Sequence, residues 1–353
     1  MSAAPTPATP RGEGQMSLAS RVVAFSLREA GVGLALVVLV VLFMIFAPYF
    51  ATGDNFTRMF GQVAINTVLA VGMTFVILIG GIDLSVGSVL ALATVVGATI
   101  MVPDFLVRWV PFELDQLVSI PLAIVVILLV GALCGFINGF VSERWRVPSF
   151  IVTLGMMSIA RGASQVVSDN ATITGLPRPF IDFGNILIDL GVVRIPVYFL
   201  IAIAVVAVAW FVLRFTIFGR FIYAIGNNEE AVRLSGHNPV PYKVSAFVIC
   251  GLLAGLAGLV WLLRLNVGSP IAAVGYELTA IAAVIIGGTS FTGGKGSVIG
   301  TFFGVCLLQV LSTGLILLGV TDNWRVIVTG LVVILAVIFD TYRSRIIAGL
   351  RAR

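Results

Sequence analysis

LVSIPLAIVVILLVGALCGFINGFV, residues Leu117 to Val141, carries no charged side chain. A helix rising about 1.5 Å per residue needs roughly 20 apolar residues to cross a hydrocarbon core, so this stretch is long enough to span a membrane. Similar runs lie on both sides of it. Before it come Gly31 to Tyr49, Phe60 to Ile79 and Leu84 to Val102. After it come Pro148 to Val167, Ile195 to Leu213, Val244 to Leu263, Tyr276 to Ile286, Val298 to Leu318 and Trp324 to Asp340. The fifth run is polar on one face through Arg161, and the eighth is short unless it continues through Gly287 and Gly288. The expected fold is therefore an all-α integral membrane protein, a polytopic bundle of about ten transmembrane helices.

Composition agrees. Of 353 residues, 59% are hydrophobic and 10% charged, too little polar surface to cover a soluble globule of this size. The 38 glycines suit helices that pack closely in lipid. Met1 to Ala30 reads as a disordered arm with a basic amphipathic lead-in, distinct from a signal peptide, ahead of a membrane domain at 31–343 and a basic tail at 344–353.

Lys and Arg mark cytoplasmic loops. With ten spans starting inside, the inner segments hold Arg11, Arg21, Arg28, Arg144, Arg146, Arg214, Arg220, Arg233, Lys243, Lys295, Arg343, Arg345, Arg351 and Arg353. Most acids fall outside: Asp54, Asp104, Glu113, Asp115, Asp169, Asp182, Asp189 and Asp322. Both termini are thus expected in the cytoplasm. The net charge of +5 is scattered and forms no stripe for nucleic acid. Cys134, Cys250 and Cys306 lie within apolar runs without metal or redox spacing, and His237 has no partner ligand nearby. No nucleophile and base arrangement is visible, so no catalysis and no cofactor is expected in this chain.

Chemistry concentrates in a few places. Gly80, Gly81 and Gly87 flank a break in the hydrophobic run, where Asp83 or Ser85 can cap the restarting helix. Irregular backbone at membrane depth is tolerated where it is buried or lines a cavity, which makes Asp83 and Ser85 pathway candidates; the alternative is a cap at the cytoplasmic interface. Gln62, Asn66 and Thr74 share a helix face by spacing, and Asn138, Gln309 and Ser312 also sit within spans. As a set these amides and hydroxyls suit a neutral polyol better than an ion, although any one of them can instead glue helices together.

In the inner loop, Asn228 can cap a short helix with Glu229 and Glu230 in its first turn, and Gly236 can close it. An exposed amphipathic helix of this kind suits a groove on a partner. The outer loop from Ser168 to Arg194 is either a docking surface or a solvated connector. Gly287 to Ser297 fails as a phosphate loop: Thr289 stands where the first Gly belongs and Gly296 where Ser or Thr would bind magnesium, which leaves a flexible inner turn. Ile79-Gly80-Gly81 and Ile286-Gly287-Gly288 hint at a repeat.

Three segments, Gly80 to Ser88 (GGIDLSVGS), Gly226 to Gly236 (GNNEEAVRLSG) and Ala280 to Gly300 with its IIGGTSFTGGKGSVIG run, resemble the membrane subunits of ABC importers for ribose, xylose, arabinose, galactosides and similar monosaccharides. The resemblance covers about Gly31 to Arg343. It implies a homodimeric pore in the bacterial inner membrane, ATP-binding subunits beneath it that hold ATP and magnesium, and a periplasmic sugar-binding protein. Glu230, Ala231 and Gly236 resemble the coupling loop E-A-A-x-x-x-G, with Val232 in its third position and no I-x-L-P following. The resemblance thus makes Asn228, Glu229, Glu230, Ala231, Arg233, Leu234 and Gly236 the contacts to the ATPase. An ion-coupled secondary carrier and a permease for branched-chain amino acids are the rival readings.

Overall fold

The structure is a computed structural model that describes residues 18–106, 108–109, 115–321, 323–332, 334–335 and 338, with side chains from 31 onward apart from 105, 106 and 116. The first part of the predicted arm, Glu113, Asp322, the end of the tenth run and the basic tail lie outside the described residues.

In chain order the helices are α1 (Leu18–Phe46), α2 (Gly53–Leu78), α3 (Val86–Met101), α4 (Pro103–Leu106), α5 (Gln116–Trp145), α6 (Ser149–Ser168), α7 (Arg178–Gly184), α8 (Val197–Phe215), α9 (Ile217–Asn227), α10 (Glu229–Leu234), α11 (Val240–Leu265), α12 (Tyr276–Ile286) and α13 (Val298–Leu317). Residues 323–332 are helical as well. Among the described residues, α2, α5, α6, α8, α11 and α13 are long and apolar enough to cross a membrane, while Gly31–Phe46, α3 and α12 are shorter apolar helices. At its 11 residues α12 rises only about 16 Å, so the eighth run stops short and Gly287 and Gly288 do not extend it.

The helices are not equivalent. In α2, 89% of the most apolar stretch is buried, against 22% in α6 and in α8. A helix apolar all round and buried all round is the core of the bundle. On α6 and α8, Ile151, Ile159, Val208 and Phe211 stay exposed, as expected of side chains that meet lipid. Beside α2, α5 and α11 approach through their backbones: a Cβ on Gly131 would overlap the Gly251 carbonyl, and one on Gly135 the Phe247 carbonyl. Glycines four apart on α5 face glycines four apart on α11, the small-residue spacing that draws helices together in lipid.

The all-α expectation needs one correction. Within the loop Ser168 to Arg194, besides α7, β1 (Leu187–Asp189) pairs antiparallel with β2 (Arg194–Pro196). Gly191, with φ 86°, turns the hairpin and donates to Asp189 Oδ1 at 2.7 Å. The loop Arg214 to Lys243 also holds more helix than expected, because α9 precedes α10. Thr216 Oγ1 accepts from Gly219 N at 3.2 Å to start α9, and Ile222 and Ile225 form its buried face.

The bundle has two distinct ends. One gathers the α2–α3 break, the α5–α6 turn, α9, α10 and the 287–297 loop; the other carries the hairpin.

Candidate functional site

At the α10 end, α2 closes with Gly80 at φ 78°, whose N–H donates to Ile77 O, while Gly81 N donates to Val76 O, each at 2.9 Å. This left-handed closure is the Gly motif that ends many helices. The chain then runs irregularly to Ser85, and α6 satisfies its backbone. Ile82 N donates to Ser149 Oγ at 3.2 Å and Leu84 N to Thr153 Oγ1 at 3.1 Å.

Asp83 is 1% exposed. Its Oδ1 accepts from Ser85 N at 2.9 Å and from Ser85 Oγ at 2.6 Å, and its Oδ2 from Asn138 Nδ2 at 3.4 Å. Asn138 Nδ2 also donates to Ser85 Oγ at 3.0 Å. Three predicted residues therefore meet in one buried cluster, but Asp83 does not cap α3, because its carboxylate is taken up by the turn and by α5. Ser85 holds the N-cap position without a side-chain bond to the helix. Gly87 is not part of the break. It lies in the first turn of α3, where any Cβ would meet Glu277 Oε2 at 2.5 Å and Ala273 O at 2.6 Å.

The three segments spread along the sequence converge here. Gly294 N donates to Leu78 O at 2.8 Å. A Cβ on Gly226 would overlap that same carbonyl and the Gly294 amide. Asn227 Nδ2 donates to Gly294 O at 2.8 Å, and the Tyr223 hydroxyl to Gly296 O at 3.0 Å. The 287–297 loop, expected as a flexible turn, is thus pinned to the end of α2 and to α9. The two Gly-Gly segments end their helices alike but out of register: Gly288 N donates to Ile285 O as Gly80 N does to Ile77 O, so Gly80 matches Gly288 and not Gly287.

The short helix α10 forms as its sequence dictates. Asn228 Oδ1 accepts from Ala231 N at 2.9 Å, Glu229 and Glu230 occupy the first turn, and Gly236 at φ 86° follows the end. Gly236 N donates to Arg233 O and His237 N to Val232 O. Val232 is buried, whereas Glu230, Ala231 and Leu234 are exposed on the opposite face. Arg233 pairs with Glu229 at 2.6 Å, and Lys243 bridges Glu229 at 3.2 Å and Glu143 at 2.6 Å. Partial burial pushes the Glu229 carboxyl up, but Lys243 and Arg233 outweigh it and hold the group below its ordinary value. Gly80, Gly81, Glu143, Arg146, Arg233 and Lys243 are among the residues around a cavity of about 1170 Å³ that opens between α10 and the α5–α6 turn.

Toward the other end, Gln62, Asn66, Gln309 and Ser312 line one cavity of about 400 Å³, with Tyr276, Thr279 and Arg325. Gln62 is clamped: its Oε1 accepts from Arg264 Nη1 at 2.5 Å and its Nε2 donates to the Tyr276 hydroxyl at 2.7 Å. Asn66 is 9% exposed and its amide makes no hydrogen bond among the described residues. Gln309 Nε2 donates to Thr313 Oγ1 at 3.0 Å. Thr74 is elsewhere. Eight residues beyond Asn66, it has turned about 80° away, and it sits fully buried between Ala70 O at 2.8 Å and Thr301 Oγ1 at 2.9 Å, bonding α2 to α13.

Sequence reasoning missed Arg264 and Tyr276, which stand at or beside the ends of apolar runs, and Glu143, and it counted Lys243 only as a loop charge. The irregular segment before α12 is held by Arg161, which donates to Pro270 O and Ala272 O at 2.8 Å each.

Residues 55–337 match the family described as branched-chain amino acid transport system / permease component. The chain belongs to this permease family. Ribose import permease protein RbsC of Haemophilus influenzae is 42% identical to the permease over 312 residues, 88% of this chain and 92% of that protein. D-allose transport system permease protein AlsC of Escherichia coli K12 is 35% identical over 311 residues, covering 88% and 90%. Fructose import permease protein FrcC of Rhizobium meliloti is 35% identical over 312 residues, covering 85% and 81%. No solved structure matches the permease.

Proposed function

We propose that this permease is the membrane-spanning subunit of an ATP-driven importer that passes a monosaccharide across the bacterial inner membrane. The observation that carries the reading is the cavity of about 400 Å³, within the roughly 300–1,000 Å³ of small-ligand pockets, which collects amides and hydroxyls and has no carboxylate among its described lining residues. Sugar hydroxyls both donate and accept, and so do Asn, Gln and Ser side chains. A zwitterionic amino acid would call for a carboxylate opposite its ammonium. An ion-coupled carrier would call for ionisable groups along its route, whereas Asp83 is enclosed by its own turn. The sugars named for the relatives point the same way.

In this reading the chain makes about ten crossings with both termini in the cytoplasm, which puts the α10 end inside and the hairpin end outside. The exposed face of α10, Glu230, Ala231 and Leu234, docks on an ATP-binding subunit, with Asn228, Glu229, Arg233 and Gly236 shaping the helix. ATP and magnesium reside on that partner, and hydrolysis takes place there. A periplasmic sugar-binding protein delivers cargo to the outer end, and a second copy of the chain completes the pore. Gln62, Asn66, Gln309 and Ser312 line the route; Asp83, Ser85 and Asn138 form the hinge ahead of α3 that changes as the route opens inward.

Extraction in mild detergent followed by mass spectrometry of co-purifying proteins tests the assembly. An ATP-binding subunit should accompany the permease; recovery of the chain alone, with transport still active without ATP, would move the assignment to a secondary carrier. In vesicles, unlabelled monosaccharides should compete for uptake and leucine should not, and competition by leucine alone would replace the substrate class.

A further inference from the structure

Glu143, Lys243 and Glu229 stand where three elements meet. Lys243, early in α11, places Nζ 2.6 Å from Glu143 Oε1 near the end of α5 and 3.2 Å from Glu229 Oε2 on α10. The Lys243 and Glu143 side chains are 18% and 10% exposed. Charges drawn out of water this far gain little net stability from pairing, so stability alone is a poor account of them. What the arrangement does is connect. Glu143 lies about a turn and a half along α5 from Asn138, which holds Asp83 and Ser85 at the break. Through its glycine row α5 is also fixed to α11, the helix that carries Lys243.

We propose that Lys243 is a positioning residue that carries movement of α10 into the joined α5–α11 pair, and through Asn138 into the break ahead of α3. The proposal rests on the importer reading above. It extends that reading from the docking face of α10 to the link behind it. A continuous chain of contacts becomes a transmission route only if the sites are energetically coupled, so the test must separate transmission from support.

The readout is sugar moved per ATP hydrolysed by the assembled importer, with its binding protein, in proteoliposomes. Lys243→Met should lower that ratio at least five-fold. The exchange Glu143→Lys with Lys243→Glu rebuilds the α5–α11 ion pair but sets a carboxylate against Glu229. Transmission requires that this double variant stay at least five-fold down; recovery to within two-fold of the unmodified protein would show that the pair only braces α5 on α11 and would overturn the proposal. An unchanged ratio in Lys243→Met overturns it too. Should neither variant accumulate in the membrane, Glu229→Gln, at a position about a third exposed, weakens the α10 link together with the Arg233 pair inside α10 and leaves the α5–α11 pair in place; an unchanged ratio there is equally decisive. Absence of ATP-driven uptake by the unmodified complex would instead sink the importer reading.

Discussion

The two ends of the bundle are built from different materials. At the α10 end the decisive contacts are made by backbone: Leu78 O to Gly294 N, and Gly226 pressed against both. At the hairpin end the cavity is made of side chains, with Gln62 clamped by Arg264 and Tyr276 and the Asn66 amide bonded to none of the described residues. A contact between backbones admits glycine and little else, whereas a cavity wall of amides can change shape and polarity residue by residue. The first arrangement fixes geometry, and in the proposed function the second selects what fits.

If this contrast holds, the largest effect of any substitution falls on Gly226. Gly226→Val drives a side chain into the Leu78 carbonyl and should destabilise the protein by about 3 kcal/mol or more, read as loss of folded permease from the membrane. Survival of that variant with normal uptake would break the contrast. Next comes Asp83→Ala, which strands the Ser85 amide and hydroxyl without their acceptor, at about 1–3 kcal/mol per buried group, and leaves Asn138 only Ser85 Oγ; the thermal unfolding temperature in detergent and uptake should both fall. Glu230→Arg sits on the exposed face of α10 and should cut ATP-driven uptake about ten-fold, a loss of roughly 1.4 kcal/mol in coupling, with the protein still in the membrane. Normal uptake would remove Glu230 from the docking face.

Asn66→Leu sharpens the comparison from the other side. It replaces an amide that bonds to no described residue, so stability should hold while the uptake KM for the sugar rises several-fold; a protein that fails to fold would mean the amide is structural. The smallest effect concerns pH. Glu229 is held below its ordinary value, so its tie to Lys243 and Arg233 is complete above the unfolded pKa and is lost as pH falls through the lower, folded value. A spin label at exposed Leu234 should therefore keep its mobility from pH 7 down to about 4, the ordinary glutamate range, and loosen only below it.

How much of this was legible in the sequence depends on the range of the interaction. Apolar runs of spanning length announced the long helices, and α10 was readable to the residue because its cap, acidic first turn and closing glycine are all local. Hairpin β1–β2 was not, since three-residue strands are held by a turn and by pairing and not by a periodic pattern. At the site, Gln62 and Asn66 were found together because four positions return to one helix face, and Thr74 was misplaced because eight do not. Arg264 and Tyr276 could not be read, because their partner Gln62 lies 202 and 214 residues away. That the Gly80, Gly226 and Gly294 segments touch is likewise a fact of three dimensions.

The division of labour has a use in design. Because the junction of Leu78, Gly226 and Gly294 at the α10 end is written in carbonyls, amides and glycine, the side chains at Asn66, Gln309 and Ser312 can be exchanged wholesale without touching any atom that forms it. If the proposed function holds, a library confined to those positions, screened for growth on a new sugar, would retune the cargo while leaving the contacts at the α10 end as they stand.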